Sequence, residues 1–140
     1  MTTGTAQTLP PTRQDPRQVA NTLKKTVNFN DPSISTGVAF DNAIPAGAVI
    51  LQVMVEIVTV FNAVTTNVLT VGTVAAGYNN IVAAGDVNEA ATGVTLVTRG
   101  LGQSLTAADV VPFAMYTQTG TAATTGQAVI TILFEGGFVS

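Results

Sequence analysis

Hydrophobic and polar residues alternate with a period of two through much of the chain, and the longest such run organises the rest. It covers residues 44–61, Ile-Pro-Ala-Gly-Ala-Val-Ile-Leu-Gln-Val-Met-Val-Glu-Ile-Val-Thr-Val-Phe. From Val49 the odd positions are Val49, Leu51, Val53, Val55, Ile57, Thr59 and Phe61; the even ones are Ile50, Gln52, Met54, Glu56, Val58 and Val60. Side chains alternate across a strand, so the run predicts one apolar, core-facing side and one mixed side. Its many β-branched residues suit a pleated surface. At roughly 3.3 Å per residue the stretch from Val49 extends about 43 Å, a length at which strands bend or pass between sheets. Pro45, Gly47, Gln52 and Glu56 interrupt it. A membrane span needs about 20 apolar residues without charge, so the run reads as a core strand.

Ahead of it, residues 18–23 have a brief helical look, residues 24–29 read as a strand with Val27 and Phe29 inward, and residues 35–40 as a second strand. Asn30-Asp31-Pro32-Ser33 is a turn. After the central strand, residues 62–67 read as a hairpin loop, residues 68–74 as an alternating strand and residues 81–84 as a short one. Asp86 is placed as the N-cap of one helical turn over residues 87–91, with Glu89 at the capping-box position. Residues 94–99 form a strand, and residues 110–118 another that Pro112 demotes towards an edge or a bulge. Residues 119–126 are a polar loop. Residues 127–135 close the pattern, with Ala128, Ile130, Ile132 and Phe134 on one face and Val129, Thr131, Leu133 and Glu135 on the other. About eight short strands with turn signals between them, and no helix of any length, predict an all-β sandwich or barrel of antiparallel strands.

The 140 residues suffice for one domain. Residues 1–22, rich in proline and threonine, are expected to be an extended or disordered N-terminal arm, and residues 23–140 the β-sandwich. Residues 1–14 lack an apolar core, so no signal peptide is expected. Only 9% of residues are charged while 46% are hydrophobic and 23 are threonine. Such a surface is poorly protected against association, which predicts a protein that packs against itself or a partner. The charge is also uneven. Arg13, Arg17, Lys24 and Lys25 against Asp15 give residues 1–25 a net +3, whereas Arg99 against seven acids gives the remainder −6. A basic arm on an acidic body fits an acidic partner, or else serves solubility alone.

The chain has no histidine, cysteine or tryptophan. That removes the commonest general base, thiolate metal sites and the Ser-His and Cys-His nucleophile systems. Asp86 and Glu89 have the spacing of a helix cap better than that of an acid pair. Asp86-Val87-Asn88 starts like a calcium loop but lacks its glycine and distal glutamate. Glu56 either pairs with Arg99 or meets solvent. Gly100-x-Gly102 lacks the third glycine of a dinucleotide fingerprint. No aromatics interleave with the basic residues and the body is acidic, so nucleic acid is not an expected partner. No catalytic, cofactor-binding or metal-binding residue is assigned, and the chain is not expected to be an enzyme.

Pro45-x-Gly47 leading into a long strand, then Thr70-Val71-Gly72, the run Val-Ala-Ala-Gly-Asp-Val at 82–87 and a closing apolar strand ending in Gly136 form a recurrent pattern. Over residues 25–138 the chain resembles the jelly-roll cement, or decoration, proteins of tailed-phage capsids, with those of Bordetella phages nearest in pattern. The resemblance implies a jelly-roll-like β-sandwich bound to the outer surface of an icosahedral virion shell, bridging neighbouring major capsid proteins, often as a homodimer. It implies no cofactor and no small-molecule substrate. Arg13, Arg17, Lys24 and Lys25 are the expected partner-binding residues, and an apolar edge or face around residues 112–116 is the expected self-association surface. The alternative is a receptor- or glycan-binding β-module of a fibre or appendage, for which Tyr78 and Tyr116 are the exposed aromatics to look for.

Overall fold

The computed structural model describes residues 20–102 and 108–136. Within them the chain forms seven strands and no helix: β1 (Ala20–Asn28), β2 (Val38–Ala39), β3 (Ala48–Thr59), β4 (Thr66–Gly72), β5 (Gly93–Val97), β6 (Phe113–Thr119) and β7 (Gln127–Gly136). They build two antiparallel sheets, ordered β1-β7-β3-β5 and β2-β6-β4. The sheets share one core, in which Val53, Val55, Ile130 and Ile132 of the first join Leu69, Val71, Ala114 and Tyr116 of the second. The all-β sandwich predicted from the alternating pattern is the fold observed.

Successive strands alternate strictly between the two sheets. No two consecutive strands pair, so every connection is an arch from one sheet to the other. Where residues 62–67 were expected as a hairpin loop, residues 60–65 form such an arch and β4 already begins at Thr66, because both edges of β3 are taken by β7 and β5. β1 begins at Ala20 and pairs with β7 from Glu135 to Gln127, so residues 20–23 are strand where a helical look was expected. Residues 1–19, with Arg13 and Arg17, and the tail beyond Gly136 lie outside the described residues.

β7 follows its predicted alternation throughout, with Ala128, Ile130, Ile132 and Phe134 buried. β3 does not. Its register against β7 slips between Ile50 and Gln52, so Leu51 is an extra residue. A bulge of this kind shifts the side-chain phase by one. Ala48 and Ile50 are therefore buried before the slip, and Val53, Val55 and Ile57 after it, while Leu51, expected inward, is 41% exposed. The Ile50 carbonyl accepts the Gly102 N–H at 2.9 Å, which satisfies a backbone group at the bulge.

Pro112 does not demote its strand to an edge. β6 begins one residue later and is the middle strand of its sheet; the Pro112 carbonyl accepts the Phe40 N–H. The strand expected over residues 35–40 contracts to β2, since Ser33 and Gly37 take positive φ (65° and 127°) and coil the preceding residues into turns. The short strand expected over residues 81–84 is reduced to one bridge, Val71 with Val82.

The helical turn expected over residues 87–91 is absent as well. Glu89 is not a capping residue; it is 7% exposed and its carboxylate accepts the Leu69 N–H at 2.8 Å. Its own carbonyl accepts the Phe61 N–H at 3.0 Å. The outer edge of β4 is thus covered by the Val82 backbone at one point and by a side chain two residues earlier, which protects an edge that would otherwise invite pairing. Replacing Glu89 by alanine orphans a buried donor and is expected to lower the unfolding free energy by roughly 1–3 kcal/mol in a denaturant titration. Glu89→Gln keeps an acceptor oxygen and should lose less than half as much. Equal losses would assign the effect to packing.

Candidate functional site

The groups that carry chemistry are mostly engaged in holding loops. The Asp86 carboxylate accepts from Arg99 Nε at 2.8 Å and Nη2 at 3.0 Å, and from the Ala83 N–H at 2.9 Å. The bonds from Arg99 hold its carboxyl below the ordinary carboxylate range, against the opposing effect of partial burial and with the help of the Ala83 N–H. An open depression of about 360 Å³ lies beside the pair, lined also by Leu96, Val97 and Thr98. Asp86 and Glu89 therefore serve separate structural bonds, neither as an acid pair nor as a helix cap. Of the two alternatives for Glu56, solvent holds: it is exposed, opposite Val94 and Val129, while Arg99 is committed to Asp86. Among the described residues no group of three or more acids is placed to hold a metal ion.

The tyrosines considered for sugar stacking are occupied. Tyr116 is buried, its ring 4.6 Å from that of Phe61 and its hydroxyl donating to Asn67 Oδ1 at 2.6 Å. Burial, and secondly the charge of Glu89, push its phenol up from the ordinary value. Tyr78 stacks on Phe113 at 4.6 Å and 18°. The segment expected to mediate self-association, residues 112–116, lies in and just before the central strand β6, with Ala114 and Tyr116 facing the core.

Of the four basic residues expected to bind a partner, two are described, and they diverge. Lys24 is exposed on the outer face of β1. Lys25, one residue on, follows the core-facing parity of Leu23 and Val27; its side chain is 20% exposed and its Nζ reaches Asp41 at 3.3 Å. Such a stem lies along apolar surface while its head stays in water.

The surface that sequence reasoning did not single out is the outer face of the four-stranded sheet. Strand pairing sets its side chains in rows: Lys24, Thr131, Met54 and Leu96 in one, then Thr26, Val129, Glu56 and Val94 in the next. Val94 is 60% exposed and Leu96 58%, and a groove of about 210 Å³ is lined by Val94, Glu56, Met54, Val129, Thr131 and Lys24. In these two rows Lys24 and Glu56 are the charges on an otherwise apolar and threonine-bearing surface, and Glu135 adds a third at the end of β7. This arrangement can bury area against another surface. The signal in the sequence was hidden because both parities of residues 94–97 are apolar or threonine, which leaves the outward side undefined.

Asp86 ionises more readily in the folded chain than in the unfolded one. Its contribution to stability is therefore complete above the unfolded value of about 3.9 and is lost as pH falls through the lower folded value. In Arg99→Met the NMR titration midpoint of Asp86 is expected to rise to the ordinary carboxylate range, and the acid-side loss attached to this pair to disappear. An unmoved midpoint would assign the depression to the Ala83 N–H.

The sequence matches no family profile and no curated protein. Solved structures do match. A chain in the capsid asymmetric unit of cyanophage Pam1 superposes with a TM-score of 0.66 at 19% identity, over 83% of this chain and 84% of that one. A chain in the acidic stable capsid of Helicobacter pylori bacteriophage KHP30 superposes with a TM-score of 0.58 at 21% identity, over 87% and 91%. Neither is the Bordetella phage that the sequence pattern resembles. At these identities the likeness is one of fold, and it extends over most of both chains: this protein has the fold of chains found in two phage capsids.

Proposed function

We propose that this protein is a structural component of a phage virion that binds the outer surface of an assembled icosahedral capsid and clips neighbouring major capsid proteins together. The observation that carries the reading is the fold shared with chains of two phage capsid structures over more than four-fifths of its length. Two features of the chain support it: a surface with few charges, and an uncovered sheet face with Val94 and Leu96 exposed. The nesting of β1 with β7, β2 with β6 and β3 with β5 reads as jelly-roll connectivity, with Ile81–Val82 in the place of an eighth strand.

The mechanism is mass action. A clip that binds the assembled lattice and not the free subunit stabilises the lattice by about 2.7 kcal/mol per site when present at 100 times its dissociation constant. In this reading Arg13 and Arg17, ahead of β1, together with Lys25 in its middle, face acidic capsid surface, Lys24 being on the opposite side of the strand, and homodimers span neighbouring subunits. The Lys25–Asp41 pair is exposed and worth little, so Lys25 can exchange partners at small cost.

Co-sedimentation with assembled shells, beside unassembled capsid subunits, tests the reading. Saturable binding to shells alone is expected. Removal of residues 1–19, which leaves β1 whole, should weaken it at least tenfold, with a steeper salt dependence in the full chain than in the truncated one. Absence of binding to any shell would favour the receptor- or glycan-binding reading.

A further inference from the structure

The outer face of β1-β7-β3-β5 carries three exposed charges, Lys24, Glu56 and, two rows beyond Thr131 at the end of β7, Glu135; the first two stand in a particular placement. Lys24 and Glu56 are both exposed, and neither is ion-paired with another described residue. They stand two strands and one row apart, about 12 Å at ordinary sheet spacings. Between them lie Thr131 and Val129 of β7, both half-buried. A covering surface of single charge would satisfy one of the two and oppose the other. The same face, turned over, satisfies both.

We propose that this face is where two copies of the chain meet, back to back, with Lys24 of each against Glu56 of the other. A two-fold axis lying in the plane of contact and bisecting the Lys24–Glu56 line crosses β7 between Val129 and Thr131. On sheet spacings that axis also carries the exposed Leu96 of one copy onto Leu133 of the other, so apolar side chains meet where the charges do not. The contact is isologous and closes at two, as a symmetric dimer requires. Four strands about 4.8 Å apart, contributing some seven residues each, give roughly 450 Å² in projection. Side-chain relief adds to this, which places the contact at the lower end of the ~800 Å² per partner of standard interfaces, so a dissociation constant in the micromolar range is expected. The proposal deepens the capsid-clip reading, on which its biological sense rests: two joined copies present two arms to neighbouring subunits. Lys24 then serves the contact between copies and leaves Arg13 and Arg17 to reach the shell.

Sedimentation equilibrium of the full chain, without shells, over about 1–500 μM tests the proposal. A monomer–dimer equilibrium is expected. Lys24→Glu and Glu56→Lys should each raise the dissociation constant at least tenfold, and the double exchange Lys24→Glu/Glu56→Lys should restore it; Leu96→Glu should weaken it as strongly. Thermal melts confirm that these exposed substitutions leave the fold intact. A chain monomeric throughout, or a dimer indifferent to all four variants, would overturn the proposal, as would a monomer whose Leu96→Glu form loses only shell binding. Because shells are absent, self-association that responds as stated supports the contact even if shell binding fails, and shell binding by a strict monomer leaves the clip standing without it.

Discussion

The structure depends on β7. It is the last of the described strands and yet lies inside its sheet, paired with β1 along Ala20–Asn28 and with β3 along Ala48–Thr59. Its buried face, Ala128, Ile130, Ile132 and Phe134, lies at the centre of the core. Without it β1 has no neighbour in the sheet and β3 keeps only β5. The four-stranded sheet can therefore close only after the end of the chain arrives, and with no hairpins to set registers locally, the match of apolar faces must do so. A single-residue slip of β7 would expose its whole buried set, and that cost is what makes the register unique.

Once the sheets are closed, few charges guard what is left. The β4 edge is covered by the Val82 backbone and the Glu89 carboxylate, and the stem of Lys25 lies at the β1 edge. Uncharged polar groups hold the arches. Asn62 accepts from the Thr124 and Thr125 N–H groups, Thr66 and Thr119 share a hydroxyl bond at 2.7 Å, and the Thr125 hydroxyl donates to the Val60 carbonyl. Threonine abundance thus has a local cause as well as an external one. These arches satisfy their own backbone groups, and a chain that spends hydroxyls in this way needs few ions at its surface.

The low charge and the fold meet on the outer face of the four-stranded sheet. There Val94 and Leu96 stand exposed on β5, beyond Glu56 and on the far side of the sheet from Lys24. A face of this kind gains little by staying wet. Such a face can bury area against another surface, and it sits on the fold of chains found in two phage capsids.

The class of the fold, the division of β7 into two faces and the lack of histidine and cysteine were legible in the sequence. Each of these is written in consecutive residues: period-two alternation needs no knowledge of neighbours. The sequence did not reveal that Leu51 is a bulge, because an added residue leaves the local alternation unchanged and only the pairing with β7 makes the slip visible. It misplaced Glu89 as a cap, because the same spacing suits a helix start, whereas the chain offers that carboxylate an unpaired N–H on β4. It took residues 62–67 for a hairpin loop and let Pro112 demote residues 110–118 towards an edge or a bulge, since loop length and a proline speak of local geometry and say nothing of which strand arrives alongside. Edges, bulges and exposed faces are properties of strand order, and strand order here is set by contacts between opposite ends of the chain. That is why the tertiary structure alone decided where this protein can be touched.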